Sequence, residues 1–249
     1  MAPAASGDAA AELAKKLANP VASLISVPLQ YNYDGNYGAD DEGSKSTLLI
    51  QPVIPFSLGE DWNLITRTIV PLASVKDIPT GEDDSGLGDI TQSFFLSPKQ
   101  PVGGWVLAAG PVGVYPTGKG DALGGRKWGA GPTGLALKQA NGWTLGFLAN
   151  HIWSVAGDSD RGDMNITFLQ PFLSYITKTK TTLGLNTESV YDWENEQWGV
   201  PVNATVSQLL KLGPQIFQLS VGARYWAESP DNGPEGWGGR AGVTFLFPK

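Results

Sequence analysis

The chain contains a single histidine, His151, and Ser154 follows it three positions later. A histidine beside a serine is the minimal chemistry of a hydrolase, because the imidazole takes the proton of the attacking hydroxyl. Both residues lie in a segment with the composition of a β-strand, where side chains alternate between the two faces. An offset of three directs them to opposite faces. We therefore predict a structural histidine in an outward or interfacial ring, and no enzymatic activity.

Metal and thiol chemistry find little support in the sequence. There is no cysteine, which excludes disulfides and, with the single histidine, the Cys/His spacing of a zinc site. Three acidic runs, at residues 40–42, 82–84 and 158–160, are candidates for divalent cations shared with lipopolysaccharide. None has the ordered spacing of a calcium loop, so we interpret them as solvated loop charge. The sequence predicts no metal and no cofactor.

Arginine and amide side chains, together with one glutamate, recur at alternate positions of several strand-like segments. An arginine in such a place binds anions through paired hydrogen bonds, or forms an ion pair with a glutamate of the same protein. Which of the two applies depends on the elements that position these residues. The group comprises Gln30, Asn32, Arg67, Asn186, Glu188, Gln218, Arg224 and Arg240.

Residues 51–72 show how strands would place such side chains. The segment predicts two strands joined by a tight polar turn at residues 57–61. In the second strand Trp62, Leu64 and Val70 share one parity, whereas Asn63 and Arg67 fall on the other. One face is therefore apolar and the other polar.

This pattern recurs along the chain, with connections that alternate between short turns and longer acidic or glycine-rich loops. An even number of strands, hairpins throughout and tight turns at one end are typical of outer-membrane barrels. Closure is also required, because a lipid-facing sheet with free edges would leave backbone groups unpaired in hydrocarbon. The predicted strands cover residues 22–34, 46–57, 61–74, 87–98, 103–116, 127–138, 142–155, 164–177, 181–193, 200–211, 214–227 and 237–248.

The tryptophan positions support the predicted barrel, whereas the proline positions count against it. Tryptophans at both ends of the strands are typical of two interfacial girdles. Proline inside a strand is unfavourable, because it donates no ladder hydrogen bond. The tryptophans that follow short turns are Trp62, Trp105 and Trp143, and those that border long loops are Trp128, Trp153, Trp193, Trp226 and Trp237. The prolines within predicted strands are Pro52, Pro55, Pro71, Pro111, Pro132 and Pro171.

The first twenty residues differ from the rest. Residues 8–19 are alanine-rich, carry Lys15 and Lys16 near their end and precede Pro20, which predicts one short helix. Two interpretations stay open: a helix packed at the mouth or rim of the main domain, or a plug or partner-docking helix. Residues 1–7 have the composition of a start methionine placed before a mature N-terminus, which predicts that a signal peptide has been removed.

Several segments carry a family resemblance: residues 19–28, 51–68, 86–98, 131–134, 169–172 and 242–248. Over nearly its whole length the chain resembles the bacterial outer-membrane transporter family named after the MetA pathway of phenol degradation. The resemblance implies a barrel and the uptake of aromatic or other small molecules. It brings no catalytic motif.

The predicted fold is all-β: a closed antiparallel transmembrane β-barrel of about 12 strands over residues 21–249, preceded by a segment, residues 1–20, with the short helix. We expect it in the bacterial outer membrane, with lipid and lipopolysaccharide as partners and the oligomeric state open. The net charge of −7 argues against a nucleic-acid partner.

The predicted function is a channel for passive passage or uptake of small solutes, with aromatic or anionic molecules as candidates. The alternative is a non-conducting structural or binding barrel. In either case we expect the eight polar residues named above inside the lumen. They form an Arg/Glu network that fills it, or a constriction with a basic patch that selects anionic or aromatic solutes.

Overall fold

Strands make up most of the chain beyond residue 24. The computed structural model of the protein describes residues 7–79 and 81–247, with side chains from residue 12 onward. The strands are β1 (Ile25–Tyr37), β2 (Gly43–Ile50), β3 (Val53–Leu58), β4 (Trp62–Lys76), β5 (Asp84–Leu87), β6 (Ile90–Pro98), β7 (Trp105–Tyr115), β8 (Lys127–Ala140), β9 (Trp143–Gly157), β10 (Asn165–Ile176), β11 (Thr181–Thr187), β12 (Ser189–Asp192), β13 (Gln197–Leu212), β14 (Gln215–Glu228) and β15 (Gly236–Phe247).

These strands form twelve spans of one closed antiparallel barrel. Three spans are interrupted, so that β2 with β3, β5 with β6, and β11 with β12 each make one crossing. Each span pairs with the next along the chain, and β15 pairs with β1, which closes the sheet. The predicted twelve-stranded barrel is confirmed. Several long loops are shorter than expected because the strands extend further, and the loop predicted at residues 35–45 is reduced to residues 38–42.

Alternation separates an apolar outer face from a mixed inner face. On β14 the outward Leu219 and Val221 are 45% and 64% exposed, whereas the inward Arg224 is 8% exposed. On β7 and β8, glycine, alanine and apolar side chains occupy both faces, so the sequence does not indicate which face points inward. Val112 and Leu135 point inward and are buried, whereas the residues beside them face outward. The exposed outer side chains form the apolar surface that a lipid bilayer requires.

The tryptophan girdles are present, with one correction. Trp226 points into the barrel, where its Nε1 donates a 2.8 Å hydrogen bond to Asp34 Oδ1. It shares the inward parity of Arg224, so its place near a long loop did not reveal its direction. The exposed girdle tryptophans are Trp62, Trp105 and Trp143 at the short-turn end, and Trp128, Trp153, Trp193, Trp198 and Trp237 at the long-loop end.

Prolines are accommodated where the hydrogen-bond ladder is interrupted. Pro111 and Pro132 lie directly opposite each other on β7 and β8. The β6–β7 ladder skips the position of Pro111, and the β8–β9 ladder skips that of Pro132, without any change of register. Pro171 and Pro201 flank the break between β11 and β12 in the same way. Each proline removes one donor, and the register is kept by the pairs on either side.

The backbone approaches closely at these breaks, which gives a stability prediction. A Cβ on Gly131 would overlap the backbone carbonyl of His151, and backbone cannot move aside as a flexible side chain can. We expect Gly131→Ala to prevent assembly of the native barrel, measured as loss of the heat-modifiable electrophoretic shift after refolding. The matched control is Gly113→Ala, whose Cβ would meet only the Gly129 oxygen at 3.6 Å. Normal folding of Gly131→Ala would contradict the register described here.

The part of the chain that the structure describes has two helices beside the barrel: α1 (Gly7–Leu17), where residues 8–19 were predicted to be helical, and the single turn α2 (Gly120–Leu123) in a long loop. Within the described residues, neither helix is long and apolar enough to cross a membrane. Leu13 and Leu17 of α1 pack against a buried cluster formed by Ala22, Leu24 and the inward-facing Leu246. The helix therefore lies in the short-turn mouth of the barrel, and the chain enters the lumen from there.

Candidate functional site

The lumen has two chemically different sides. A polar band lies along the inner face of β1, β2, β4 and β11 to β15. An apolar surface lies along the inner face of β3 to β10 and includes Phe95, Leu135 and Leu148, all nearly inaccessible. The polar band is defined by Asn32, Asp34, Lys45, Gln51, Arg67, Asn186, Glu188, Asn203, Arg224 and Arg240.

Arg240 forms the most complete contact of the polar band. Its Nη1 and Nη2 donate hydrogen bonds of 3.0 and 2.7 Å to the two carboxylate oxygens of Glu188, and its Nε donates one of 2.8 Å to Asn32 Oδ1. Glu188 lies on the span formed by β11 and β12, three spans away from β15, so this ion pair bridges across part of the lumen. The hydrogen-bonding capacity of Arg240 is largely used.

Arg224 has a different environment. Its Nε lies 3.3 Å from Asp34 Oδ1, and its guanidinium stacks on Trp226 with 4.7 Å between Cζ and the ring centroid. Among the described residues the guanidinium makes no hydrogen bond, although Nε is fully buried. The Asp34 oxygen that it approaches already accepts from the indole of Trp226.

The remaining predicted residues line the lumen at other heights. Arg67 Nη2 donates a 2.8 Å hydrogen bond to Gln51 Oε1, and Asn203 Nδ2 donates one of 2.9 Å to Asn186 Oδ1. Gln30 donates to Asn32 at 3.3 Å. Gln218 lies nearer the short-turn end, facing the segment that follows α1. All eight predicted residues therefore face the lumen, and Arg240, Glu188 and Asn32 are in direct contact.

Sequence reasoning missed five members of the site: Asp34, Lys45, Gln51, Asn203 and Trp226. Asp34 and Lys45 lie opposite each other on β1 and β2 with the inward parity of Asn32. Their parity was a usable signal, but both fell at the edge of a predicted loop. Asn203 lies opposite Asn186 on β11 and Arg224 on β14, two residues of the predicted set, and this pairing depends on the strand register rather than on the sequence of β13 alone.

Cavities lie on both sides of the Arg240–Glu188 bridge. Towards the long loops a cavity of ≈ 420 Å³ is lined by Arg224, Glu188, Trp226 and Phe168. Towards the short turns, two cavities of ≈ 210 Å³ each lie beside the segment at residues 16–20 and are lined by residues such as Gln30 and Gln218. Arg240 lies between these levels, since the inward residues on either side of it pair with Arg224 and Gln30.

The Arg240–Glu188 ion pair carries the second stability prediction. Arg240→Met leaves a largely buried carboxylate without its partner, which costs about 3–5 kcal/mol in comparable pairs. We expect that loss in the free energy of unfolding, measured by urea titration in lipid vesicles with tryptophan fluorescence. Adding Glu188→Gln should restore most of the loss, because the remaining charge is removed. Equal stability of the single variant and wild type would contradict the pairing.

His151 and Ser154 lie on opposite faces of β9. His151 Nδ1 is 2.7 Å from Thr167 Oγ1 and its ring packs on Trp153 at 4.2 Å, on the outer face. Ser154 Oγ points inward and accepts a hydrogen bond from the Met164 amide at 2.5 Å. The two side chains therefore cannot act together on one substrate.

The acidic runs lie at the long-loop end. Carboxylate oxygens of Asp40, Glu42 and Asp77 come within 4.8 Å of one another. The amide of Asp160 donates to Asp158, and with Arg126 it holds the pKa of the Asp158 carboxyl below its usual range. Exposed acidic groups of this kind are common in loops, and no further feature of the residues that the structure describes marks a metal site.

Comparisons with known proteins agree on the architecture. No protein-family model and no curated protein matches the sequence. Among solved structures, the COG4313 outer membrane channel from Pseudomonas putida F1 aligns with a TM-score of 0.71 at 16% identity, over 90% of this chain and 96% of that one. The protein has the fold of an outer-membrane β-barrel.

Two further structures show the same fold at lower similarity. The NanC porin aligns with a TM-score of 0.55 at 12% identity, over 89% of this chain and 98% of that one. Outer membrane phospholipase A from Escherichia coli reaches a TM-score of 0.50 at 11% identity, over 91% of this chain and 99% of that one. Identities this low establish the fold alone, because unrelated activities share one barrel.

Proposed function

We propose that the protein is a passive channel for small anionic solutes in the bacterial outer membrane. The observation that carries the proposal is the charge of the polar band. Lys45, Arg67, Arg224 and Arg240 supply four positive charges, and Asp34 and Glu188 supply two negative ones, which leaves a difference of +2. Asp192, which lines the adjoining cavity, lowers the difference to +1 when the band and the cavity are counted together.

An excess of positive charge inside a barrel acts strongly on passing ions. The walls have a low dielectric constant and focus the field along the lumen, so the local concentration of anions rises. Barrels of about twelve strands are also narrower than the 16-stranded porins, and side chains therefore line the whole path. A solute must pass within contact distance of the polar band, which favours selectivity over free diffusion.

The surroundings of the barrel follow from the same proposal. The apolar outer belt is suited to outer-membrane lipid, with lipopolysaccharide around the long loops.

We further propose membership of the MetA-pathway transporter family, supported by the segments that resemble it, and a division into residues 1–20 and residues 21–249. We assign no reaction, because His151 and Ser154 point to opposite sides of the wall.

Osmotic swelling of proteoliposomes tests the proposal. Vesicles containing the protein are diluted into isosmotic solutions of an anion, a cation and a neutral solute of matched size. We expect the anion to enter fastest and the cation slowest. Equal rates would show that the charge of the band does not govern passage, and rates no higher than in protein-free vesicles would refute a channel.

The alternative, a non-conducting barrel, is favoured by one observation. The segment that follows α1 runs inside the barrel, where Val21 is 4% exposed and belongs to the same buried cluster as Leu135 and Leu148 of the apolar surface. Together with the contacts of Leu13 and Leu17, this fills part of the lumen at the short-turn end. A channel requires that solute passes beside this segment, whereas a non-conducting barrel requires that the segment blocks the path.

A further inference from the structure

The cavity on the long-loop side of the Arg240–Glu188 bridge combines one cationic group with apolar walls. Arg224 and Trp226 form one side, Ile166 and Phe168 face them from β10, and Pro230 of the last long loop closes the edge. Its volume of ≈ 420 Å³ falls within the range of about 300–1,000 Å³ that is common for small-molecule sites. The cavity is therefore large enough for a compact organic molecule.

The arginine of this cavity has unused donors. Its side chain is 10% exposed and contacts Asp34 and Trp226, but it makes no hydrogen bond to another described residue. Arg240, only one span away, is in contrast held by Glu188 and Asn32. A buried guanidinium without hydrogen bonds is costly, so a ligand that accepts from it gains affinity.

The acidic groups of the cavity are already occupied. Both oxygens of Glu188 accept from Arg240. Asp192 Oδ1 accepts from two backbone amides of its own turn, and its Oδ2 accepts from Asn195 Nδ2. Of the charged side chains that line the cavity, Arg224 is therefore the one with free capacity, and it favours an anion. Because Asp34 partly balances Arg224, binding should be weak enough for release, as a channel requires.

We propose that this cavity binds a small carboxylate with an apolar body. The carboxylate accepts from Arg224, which its stacking on Trp226 holds flat, and the apolar part packs on Phe168 and Ile166. This proposal deepens the proposed channel function, since it makes the cavity a binding step on the path of the solute. A carboxylate without an apolar part, or an alcohol of the same shape, would satisfy only half of the site.

Ligand binding to the full-length protein in detergent micelles tests the proposal without requiring conduction. The probe is 4-fluorobenzoate, followed by ¹⁹F NMR, with fluoroacetate and 4-fluorobenzyl alcohol as comparison compounds. We expect the benzoate to bind more tightly than either of them. We also expect Arg224→Gln to weaken it by about tenfold or more, since a charge-assisted contact is lost.

Three further variants complete the test. Lys76→Gln removes an exposed positive charge outside the lumen and should leave benzoate binding unchanged. Arg224→Lys keeps the charge without the planar fork and should bind with intermediate affinity. Phe168→Leu should weaken benzoate and leave fluoroacetate unaffected. The two milder variants carry the test if Arg224→Gln does not fold.

The outcomes separate the site from the channel. Binding that depends on Arg224 and Phe168 supports the site, even if the protein is silent in conductance measurements. Benzoate affinity that is the same in wild type, Arg224→Gln and Phe168→Leu overturns the site and leaves the channel proposal standing. Equal binding of benzoate and fluoroacetate to the wild type overturns the apolar half of the site.

Discussion

Deleting residues 1–17 is expected to raise the single-channel conductance several-fold. Leu13 and Leu17 anchor α1 to the buried cluster of Ala22, Leu24 and Leu246, the last of these on the inner wall, and the chain continues into the lumen from there. Without α1 the segment at residues 18–24 keeps only its own apolar contacts, such as those of Val21 and Leu24, and the short-turn mouth widens. The measurement is the current step of the purified protein in a planar bilayer at fixed voltage and salt.

A substitution pair controls for the deletion. Leu17→Asn should release the helix by removing one apolar contact and should reproduce part of the increase, whereas Glu12→Gln changes an exposed side chain and should not. Folding is verified by the heat-modifiable shift in each case. Conductance that is unchanged in the deletion variant would show that the N-terminal segment does not limit passage, and it would remove the main support for a barrel closed by its own chain.

Neutralising Arg67 and Arg224 together is expected to abolish the preference for anions. The double variant Arg67→Gln, Arg224→Gln takes the charge difference of the polar band from +2 to zero, and leaves the Arg240–Glu188 pair intact. Because selectivity in a narrow pore follows the charge of its lining, the reversal potential in a salt gradient should fall close to zero.

Two controls bracket this result. Lys76→Gln with Lys99→Gln removes the same charge from positions outside the lumen and should leave the reversal potential unchanged. Asp34→Asn raises the charge difference of the band to +3 and should strengthen the anion preference. A double variant as selective as wild type would mean that ions do not pass the polar band.

Much of the fold could be predicted because alternation is a local property. The inward and outward faces of β14 and β15 follow from the period of two, and short turns fixed the order of the hairpins. Strands β7 and β8 gave no such signal, since glycine, alanine and apolar side chains occupy both of their faces. Their direction depends on the neighbours that they pair with, which only the closed sheet defines.

The residues that line the lumen could be predicted from the sequence, but the contacts between them could not. Parity placed Arg240, Glu188 and Arg224 in the lumen, but spans three apart meet only through the curvature of the barrel. Trp226 was assigned to the girdle because its position in the sequence is that of a girdle residue, although the same parity that directs Arg224 inward also applies to it. The prolines argue against a barrel in the sequence alone, because the breaks in the hydrogen-bond ladder that accommodate them depend on the pairing of distant strands.

The reversal potential of the wild-type protein in a planar bilayer tests the central claim most directly. Purified protein is inserted at low concentration, and the potential at zero current is read across a tenfold gradient of potassium chloride. We expect discrete current steps and a reversal potential of the sign set by chloride, since the polar band carries more arginine and lysine than acid. A reversal potential of the sign set by potassium, or folded protein that inserts without current, would contradict an anion-selective channel.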